Sequence, residues 1–358
     1  MKALTFFSDQ YNNAQSNAQP QWSGIYVCNA TDFVFIPEAS PVPANSAANM
    51  AAAIKKLIDG RGTRTTNVWI GTPGIGQGNF LSGITLSTLT SYLTSVYTNS
   101  SITASAYRSK IVGVYMNQES FYSSTSPIMD YNTGLNGTQQ GNVQLKRMSD
   151  LGAWIKAGNL GSATGFLWIP YYGKGSDPAA VIKNIGYAAA NFQIFDYCII
   201  QPGVFFDQTT TVGNFDGIEY SLNANNVCYR NGPTAFAKAS NTQIGFEMEY
   251  DASYANASSL FKQYTDALTG YRSTKHQVFY WGRPSTADPN YTAYITDEFK
   301  KINTWYCTQE DLDYVIANYY GAKAGDSDWD LAKNFDLNGD GIVNMIDLQI
   351  IQSYINYY

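Results

Sequence analysis

The stretch QIGFEMEYD, residues 243–251, joins an apolar run to three acidic residues at alternate positions. The apolar residues at its start are typical of a buried strand. Glu247, Glu249 and Asp251 follow at every second position, and alternate side chains of a strand point to the same face. Like charges that are buried together repel each other. The stretch therefore predicts a strand end at which carboxyl groups serve a purpose other than folding.

Seven further apolar runs read as strands of the same kind, and amphipathic segments between most of them read as helices. The runs are ALTFF (3–7), DFVFIP (32–37), NVWIG (67–71), IVGVYM (111–116), GFLWIPY (165–171), DYCIIQP (196–202) and QVFYWG (277–282). Near-continuous apolar strands are typical of parallel sheets that are covered on both faces. Helices are expected over 46–60, 86–97, 177–190 and 296–303, whereas the first connection, 8–31, is expected to be a loop.

Eight strand–helix units predict an α/β fold, a (β/α)8 TIM barrel over residues 1–303. The alternative is a doubly wound open sheet. Its usual phosphate-binding turn after the first strand, G-x-G-x-x-G, is absent from FFSDQYNNAQ. The count of eight strands favours the barrel.

Composition narrows the class of ligand. The 358 residues carry a formal net charge of −6, and the 22 Lys and Arg residues are scattered, which disfavours a nucleic-acid surface. Only 14% of residues are charged while 28 are tyrosines, a balance that suits uncharged, hydroxyl-rich ligands. No run approaches the roughly 20 apolar residues of a membrane helix. The first residues show no signal peptide, as is expected also of a secreted chain whose signal has been removed.

Several common types of site are disfavoured. The four cysteines form no C-x-x-C pair, so a zinc site is not expected, although Cys198 and Cys228 are able to pair. His276, the single histidine, precedes the eighth strand at the end opposite the expected site and is interpreted as structural. The sequence therefore offers no Ser–His–Asp triad, no His-rich zinc site and no phosphate-binding loop.

In such barrels the active site lies at the carboxyl ends of the strands. Glycosidic-bond cleavage needs two opposed carboxyl groups, one protonated and one ionised. Glu119, after the fourth strand, is the candidate acid/base, and Glu247 is the candidate nucleophile, with Glu249 as the second choice. Candidate substrate-binding residues, with aromatic rings for stacking on sugars and polar groups for their hydroxyls, are Asp9, Asn117, Tyr171, Tyr172, Gln201, Trp281 and Arg283.

Two resemblances support this interpretation. The glutamates of strands four and seven resemble the acid/base and nucleophile of retaining clan-A glycoside hydrolases, in which Asn directly precedes the acid/base; here Gln118 separates Asn117 from Glu119. The blocks FLWIPYY, FDYCIIQPGVFF and IGFEMEYD resemble the bacterial family called domain of unknown function 4855. The likeness spans most of residues 1–300, but this chain has Gly203 where the family pattern has Asn. It implies a glycosidase-like barrel and supplies no substrate.

Residues 304–358 predict a second, small all-α module. TQEDLDYVIANYY (308–320) reads as a helix with a capping box of Thr308 and Asp311. DLNGDGIVNMID (336–347) has the ligand spacing of an EF-hand-type calcium loop, with Gly341 at the sharp turn and Asn344 placed for a water-mediated contact. The predicted calcium ligands are Asp336, Asn338, Asp340, Ile342 through its backbone carbonyl, and Asp347.

The phrase DLNGDGIVNMIDL resembles a dockerin, the calcium-folded module that attaches secreted enzymes to the cohesin domains of scaffold proteins. Dockerins usually have two such loops, and here only the helix of the first remains. The resemblance implies structural Ca²⁺, a cohesin partner, membership of a cellulosome and an extracellular or cell-surface location. Met345 and Ile346 lie at loop positions that often contact cohesin, and packing against the first helix is the alternative role.

Three functional hypotheses follow. The first is a secreted glycoside hydrolase, retaining in mechanism, acting on a polysaccharide or oligosaccharide and carrying a dockerin-like tail. The second is a non-catalytic carbohydrate-binding or cellulosome-associated scaffold protein, which needs the aromatic residues but no opposed acids. The third is a calcium-dependent lyase, which needs a basic residue at the barrel mouth, where the sequence offers only Arg283.

Overall fold

The structure of the chain is a computed structural model. The structure describes residues 1–11, 20–37, 44–73, 84–119, 121, 128–173, 177–206, 215–229, 240–282 and 284–356, without the side chains of Asp9 and Pro20.

Eight parallel strands form a closed barrel in the order in which they occur along the chain. The barrel closes through β1 and β8, which pair with Ala3 opposite Val278. The strands are β1 Lys2–Phe7, β2 Asp32–Ile36, β3 Asn67–Gly71, β4 Ile111–Met116, β5 Gly165–Trp168, β6 Tyr197–Ile200, β7 Gln243–Tyr250 and β8 Gln277–Trp281. The predicted (β/α)8 barrel is thus confirmed, and each predicted run contains its strand to within a few residues.

Helices surround the barrel and join its strands. They are α1 Ser8–Tyr11, α2 Pro20–Val27, α3 Ser46–Arg61, α4 Leu86–Tyr97, α5 Ser105–Arg108, α6 Gln140–Lys156, α7 Pro178–Asn191, α8 Phe215–Ala224, α9 Ala257–Leu268, α10 Tyr291–Tyr306, α11 Gln309–Tyr319, α12 Trp329–Ala332 and α13 Met345–Asn356. The expectation of a loop over 8–31 was wrong, because α1 and α2 lie there. Trp22 and Ile25 of α2 are buried in the core. The prediction missed this helix because its sequence, PQWSGIYV, has almost no amphipathic pattern.

An apolar cluster fills the barrel interior, and Trp69 is its largest side chain. Trp69 of β3 projects inward, and a Cβ at Gly113 or Gly165 would lie within 2.6 Å and 2.8 Å of its ring. Its indole nitrogen donates to Asp32 at 3.0 Å. Strands β4 and β5 therefore carry glycine at the positions where the ring of Trp69 occupies the space of a side chain. The barrel is closed below its mouth, so ligand access is expected from the carboxyl ends of the strands.

The three C-terminal helices pack onto the barrel without a separate linker. Leu312 of α11 and Leu348 of α13 share an apolar cluster with Val27 of α2. Arg64 forms an ion pair of 3.4 Å with Asp311. The capping box of Thr308 and Asp311 that the sequence predicts is present at the start of α11. The boundary predicted after residue 303 falls inside α10, which runs directly into this cluster.

The four cysteines, Cys28, Cys198, Cys228 and Cys307, are buried free thiols, so the pairing left open for Cys198 and Cys228 is not formed. Burial raises the pKa of the Cys198 thiol, as expected of a small apolar core residue.

Across the described ranges, no helix has the length and apolar character needed to cross a membrane.

Candidate active site at the barrel mouth

Glu247 and Glu249 of β7 point into the barrel. Phe246 and Met248, the residues of opposite parity, belong to the apolar layer between the strands and the helices. Both glutamates are only 2% exposed. Asp251 continues the inward series, since a Cβ at Gly282 would lie 2.3 Å from its carboxyl carbon. The alternation seen in QIGFEMEYD therefore places three carboxyl groups on one inner wall.

Glu119 lies near this wall, in the segment that follows β4. Its charge contributes to raising the pKa of Glu247, of Glu249 and of Tyr115. Its backbone carbonyl accepts a hydrogen bond of 2.8 Å from the nitrogen of Tyr171, which holds this segment against the end of β5. The structure thus brings Glu119 close to Glu247 and Glu249, although about a third of the chain separates them.

Glu249 is held by hydrogen bonds to both carboxyl oxygens. One oxygen accepts from the backbone nitrogen of Gly203 at 2.9 Å, and the other accepts from the nitrogen of Phe205 at 3.2 Å. The hydroxyl of Tyr264, on α9, donates to the second oxygen as well. Burial raises the pKa of Glu249 to about 7, while these three donors favour its ionised form. Glu249 therefore anchors the loop that follows β6.

Glu247 is in a different state, although it lies on the same wall two residues away. Within the described residues we find no hydrogen bond to its carboxyl group. Burial first, and then the neighbouring carboxyls of Glu249 and Glu119, raise its pKa well above the ordinary value. Like charges in a low-dielectric site cannot all ionise. The group of carboxyls therefore retains a proton, and Glu247 is the member that holds it most strongly.

Three predicted substrate-binding residues lie at the mouth and are partly exposed. They are Asn117, Tyr171 and Gln201. The backbone nitrogen of Asn117 donates a hydrogen bond of 3.0 Å to the Thr72 hydroxyl. The side-chain amide of Gln201 donates to the carbonyl of Ile169 at 3.0 Å, so it helps to fix the wall.

Two predicted substrate-binding residues are wrong. Trp281 is fully buried, its indole nitrogen donates to the carbonyl of Thr5 at 2.6 Å, and its ring packs on Phe299 in the outer layer. Tyr172 is 1% exposed and donates to the carbonyl of Cys228 at 2.8 Å. Neither ring has a face open to a sugar. The side chain of Asp9 and the whole of Arg283 lie outside the described residues.

The sequence analysis chose Trp281 as a binding residue of β8 and overlooked the adjacent Tyr280. Tyr280 has the inward parity of β8 and pairs with Glu249 in the strand register. Strict alternation along β8 would have identified it, because Val278 also belongs to the inner cluster. Tyr115 of β4 follows the same rule. Tyr264, which comes from a helix, has no sequence signal that links it to Glu249.

The predicted calcium loop has the bent backbone that ligand convergence requires. Gly339 and Gly341 have φ of 75° and 86°. The carboxylate of Asp347 is fully buried and accepts hydrogen bonds from the backbone nitrogens of Leu337, Asn338 and Asn344. In the described part of the chain no group of three or more His, Cys, Asp or Glu side chains is close enough to hold a metal ion. The Asn344 and Asn338 amides instead donate to Asp340.

Comparison with known proteins gives only distant structural likeness. No protein-family model matches the chain, and no curated protein matches it. Similar solved structures include a GH18 chitinase from Pseudoalteromonas aurantia (16% identity, 83% of this chain, 100% of that chain, TM-score 0.45). A sugar phosphate isomerase/epimerase from Parabacteroides distasonis is also similar (11% identity, 84% of this chain, 97% of that chain, TM-score 0.44). So is an endo-laminarinase from Formosa (12% identity, 87% of this chain, 74% of that chain, TM-score 0.36). At these scores the likenesses carry no argument about substrate or reaction, and the barrel assignment rests on the strand order itself.

Proposed function

We propose that the protein is a glycoside hydrolase whose reacting carboxyl groups are Glu119 and Glu247. The observation that supports this proposal is the electrostatic coupling of Glu119, after β4, with Glu247, on β7, inside the barrel mouth. Glycosidic cleavage requires one carboxyl group that donates a proton and another that is ionised. A site that forces neighbouring carboxyls to share protons supplies both states at neutral pH.

The electrostatics favour a distribution of roles opposite to the one predicted from the sequence. A general acid needs a raised pKa, and burial beside Glu249 and Glu119 raises that of Glu247. Glu247 would give its proton to the leaving oxygen. Glu119, which is less buried, would be the partner that attacks the sugar carbon or activates water. Glu249 keeps its hydrogen bonds to the β6 loop and acts on Glu247 through its charge.

Leaving-group dependence tests this assignment. An aryl glycoside with a good leaving group needs no proton donor, whereas an alkyl glycoside does. If Glu247 is the acid, Glu247→Gln should retain much of the activity on the good leaving group and lose it on the poor one. Glu119→Gln should lose both. The opposite pattern would restore the roles predicted from the sequence, and full activity of both variants would refute the proposal.

The stereochemical course is a separate part of the proposal. Proton NMR of the first-formed sugar distinguishes retention from inversion, and we expect retention. A first-formed sugar of inverted configuration would be consistent with a hydrolase but would exclude Glu119 as the nucleophile. Oligosaccharide binding with no turnover, unchanged by both Glu→Gln variants, would instead favour the non-catalytic binding protein.

We also propose that residues 336–347 bind Ca²⁺. Support comes from the loop's ligand spacing and from its positive-φ glycines. The groups that would hold the ion are the side chains of Asp336, Asn338, Asp340 and Asp347 and the carbonyl of Ile342. Rotation of the two Asn amides would turn their oxygens toward the ion. Carbonyl and amide oxygens complete such sites, so a cluster of acidic groups alone is not required.

Calcium should raise the melting temperature of the full chain, and Asp336→Ala should abolish the rise. Asp313→Ala is the matched control, because that residue lies on the exposed side of α11 and bonds only to Gln309 in the described structure. Titration calorimetry with Ca²⁺ gives the affinity directly. No heat and no shift with the parent protein would exclude the calcium site.

A secreted location and a cohesin partner extend the calcium proposal. Met345 and Ile346 are 54% and 51% exposed, so both are available for contact with another protein. If the module acts as a dockerin, Met345→Asp should abolish binding to a panel of cohesin domains without changing the melting temperature. Unchanged cohesin binding by the variant would remove Met345 from the contact surface, and no binding by the parent protein would exclude the cohesin partner.

A further inference from the structure

Aromatic side chains from four parts of the chain meet beside Glu249. Tyr280 of β8 contacts Phe7 of β1 and Phe206 of the β6 loop, with ring centroids 5.4 Å and 5.0 Å apart. Phe206 in turn contacts Tyr254, which follows β7, at 5.9 Å. All these contacts are edge-to-face, with interplanar angles of 73° to 83°. We call Phe7, Phe206, Tyr254 and Tyr280 the aromatic cluster.

The cluster is open to solvent where a ligand would approach. Phe206 is 40% exposed and Tyr254 is 38% exposed, and Phe7 and Tyr280 are half-buried. A contiguous exposed patch of apolar rings is typical of a ligand-binding groove or an interaction site. Edge-to-face packing fixes their orientation, so little conformational entropy is lost when a ligand binds.

The same hydrogen bonds that hold Glu249 hold the cluster. The nitrogen of Phe205 donates to Glu249, and the Phe205 ring, which is fully buried, packs on Phe206 and Tyr254 at 5.3 Å each. The backbone bond therefore presents the next residue, Phe206, to the mouth. The cluster is thus continuous with the carboxyl wall, and a molecule on the cluster would reach the carboxyl groups.

Charge limits the type of ligand. The charges that raise the pKa of Glu247 are those of other carboxyl groups, and Asp251 lies on the same wall as these glutamates. A uronic acid or sulfated sugar would be repelled there. An uncharged pyranose offers apolar C–H faces for the rings and hydroxyls for the polar wall.

We propose that the aromatic cluster is a binding site for pyranose rings of an uncharged polysaccharide, which it positions for cleavage beside β7. The inference rests on the proposed hydrolase only for the cleavage; binding stands by itself. It also assigns Phe206 and Tyr254 the stacking role that the sequence predicted for Trp281.

The test measures binding separately from turnover. Full-chain protein is titrated calorimetrically with hexasaccharides of cellulose, xylan, mannan and chitin, and with an oligogalacturonate of equal length. We expect one neutral hexasaccharide to bind. Phe206→Ala or Tyr254→Ala should raise its Kd by roughly five- to tenfold. Tyr254→Phe keeps the ring and should retain affinity. Tyr320→Ala, at a 51% exposed tyrosine between α11 and α12, is the control for a general surface effect.

The outcomes separate the two proposals. Binding that needs Phe206 and Tyr254 without any turnover would keep this inference and refute the hydrolase. Turnover with a KM and a Kd that neither substitution changes would support the hydrolase and refute the role of the aromatic cluster. The absence of binding to any of the oligosaccharides would also refute the role of the cluster. Equal affinity for the oligogalacturonate would overturn the choice of an uncharged ligand.

Discussion

Glu249 accepts a hydrogen bond of 2.9 Å from the backbone nitrogen of Gly203, the residue at which the chain leaves β6 with φ of 69°. A side chain that the sequence marks as catalytic is thus tied to a neighbouring loop. Glu247, two residues earlier on the same wall, has no such bond in the described structure. Two carboxyls with the same parity and nearly the same burial therefore have different roles.

Tyr264→Phe should weaken the hold on Glu249. The hydroxyl of Tyr264 donates to the buried carboxyl group and favours its ionised form. Its removal should cost about 1–2 kcal/mol of unfolding free energy and raise the pKa of Glu249 above about 7. Urea denaturation and carboxyl ¹³C titration measure the two effects. Tyr254→Phe, at an exposed ring, should change neither quantity; an unchanged pKa in Tyr264→Phe would contradict the assigned bond.

Gly203→Ala should destabilise the protein through two effects. A Cβ at this position would lie 2.5 Å from ring atoms of Tyr171, and the positive φ disfavours any side chain. The backbone strain alone is worth about 1 kcal/mol or more. Gly62→Ala is the control for strain, because φ there is 58° and nothing lies within 4 Å. A greater loss of thermal stability in Gly203→Ala measures the clash; equal losses would show that Tyr171 yields freely.

Glu298→Gln should remove a pH-dependent loss of stability. Glu298 of α10 is fully buried, accepts from the nitrogen of Ala252 at 3.2 Å, and has no described partner for its second oxygen. Burial, and then Asp251 and Asp297, raise its pKa well above 4.5. The stability it contributes is therefore full below pH 4.5 and falls as the pH rises through the folded-state pKa.

The variant should accordingly melt at a higher temperature than the parent above pH 7, by roughly 2 °C or more, and match it near pH 4.5. The glutamine oxygen can still accept from Ala252. Glu310→Gln, at an exposed position in the first turn of α11, serves as the control. A melting-temperature difference that does not grow with pH would show that Glu298 does not titrate in this range.

Arg272→Met should loosen the C-terminal helices from the barrel. The guanidinium donates to the carbonyl of Tyr354 at 2.7 Å and to that of Cys307 at 2.9 Å. Methionine retains most of the apolar stem but neither bond, at a cost of about 2–3 kcal/mol. Scanning calorimetry should then show an earlier or a split transition. Lys262→Met breaks only an exposed i,i+4 pair with Asp266 and should be nearly neutral.

Local sequence patterns were enough to predict the barrel and the face on which its acidic residues lie. Eight apolar runs fixed the strand count, and strict alternation in QIGFEMEYD fixed the face of Glu247 and Glu249, because both patterns depend only on local backbone geometry. The capping box of Thr308 and Asp311 followed from short-range hydrogen bonds in the same way.

Contacts between elements that are far apart in the sequence decide which of these side chains are accessible and which hydrogen bonds they form. Trp281 and Tyr280 are adjacent and both aromatic, yet one is enclosed by helices and the other faces the mouth. The hold on Glu249 comes from Tyr264 and from the β6 loop, which are distant in the chain. Burial, pKa and hydrogen-bond partners depend on every element that packs around a residue, and no local pattern records them.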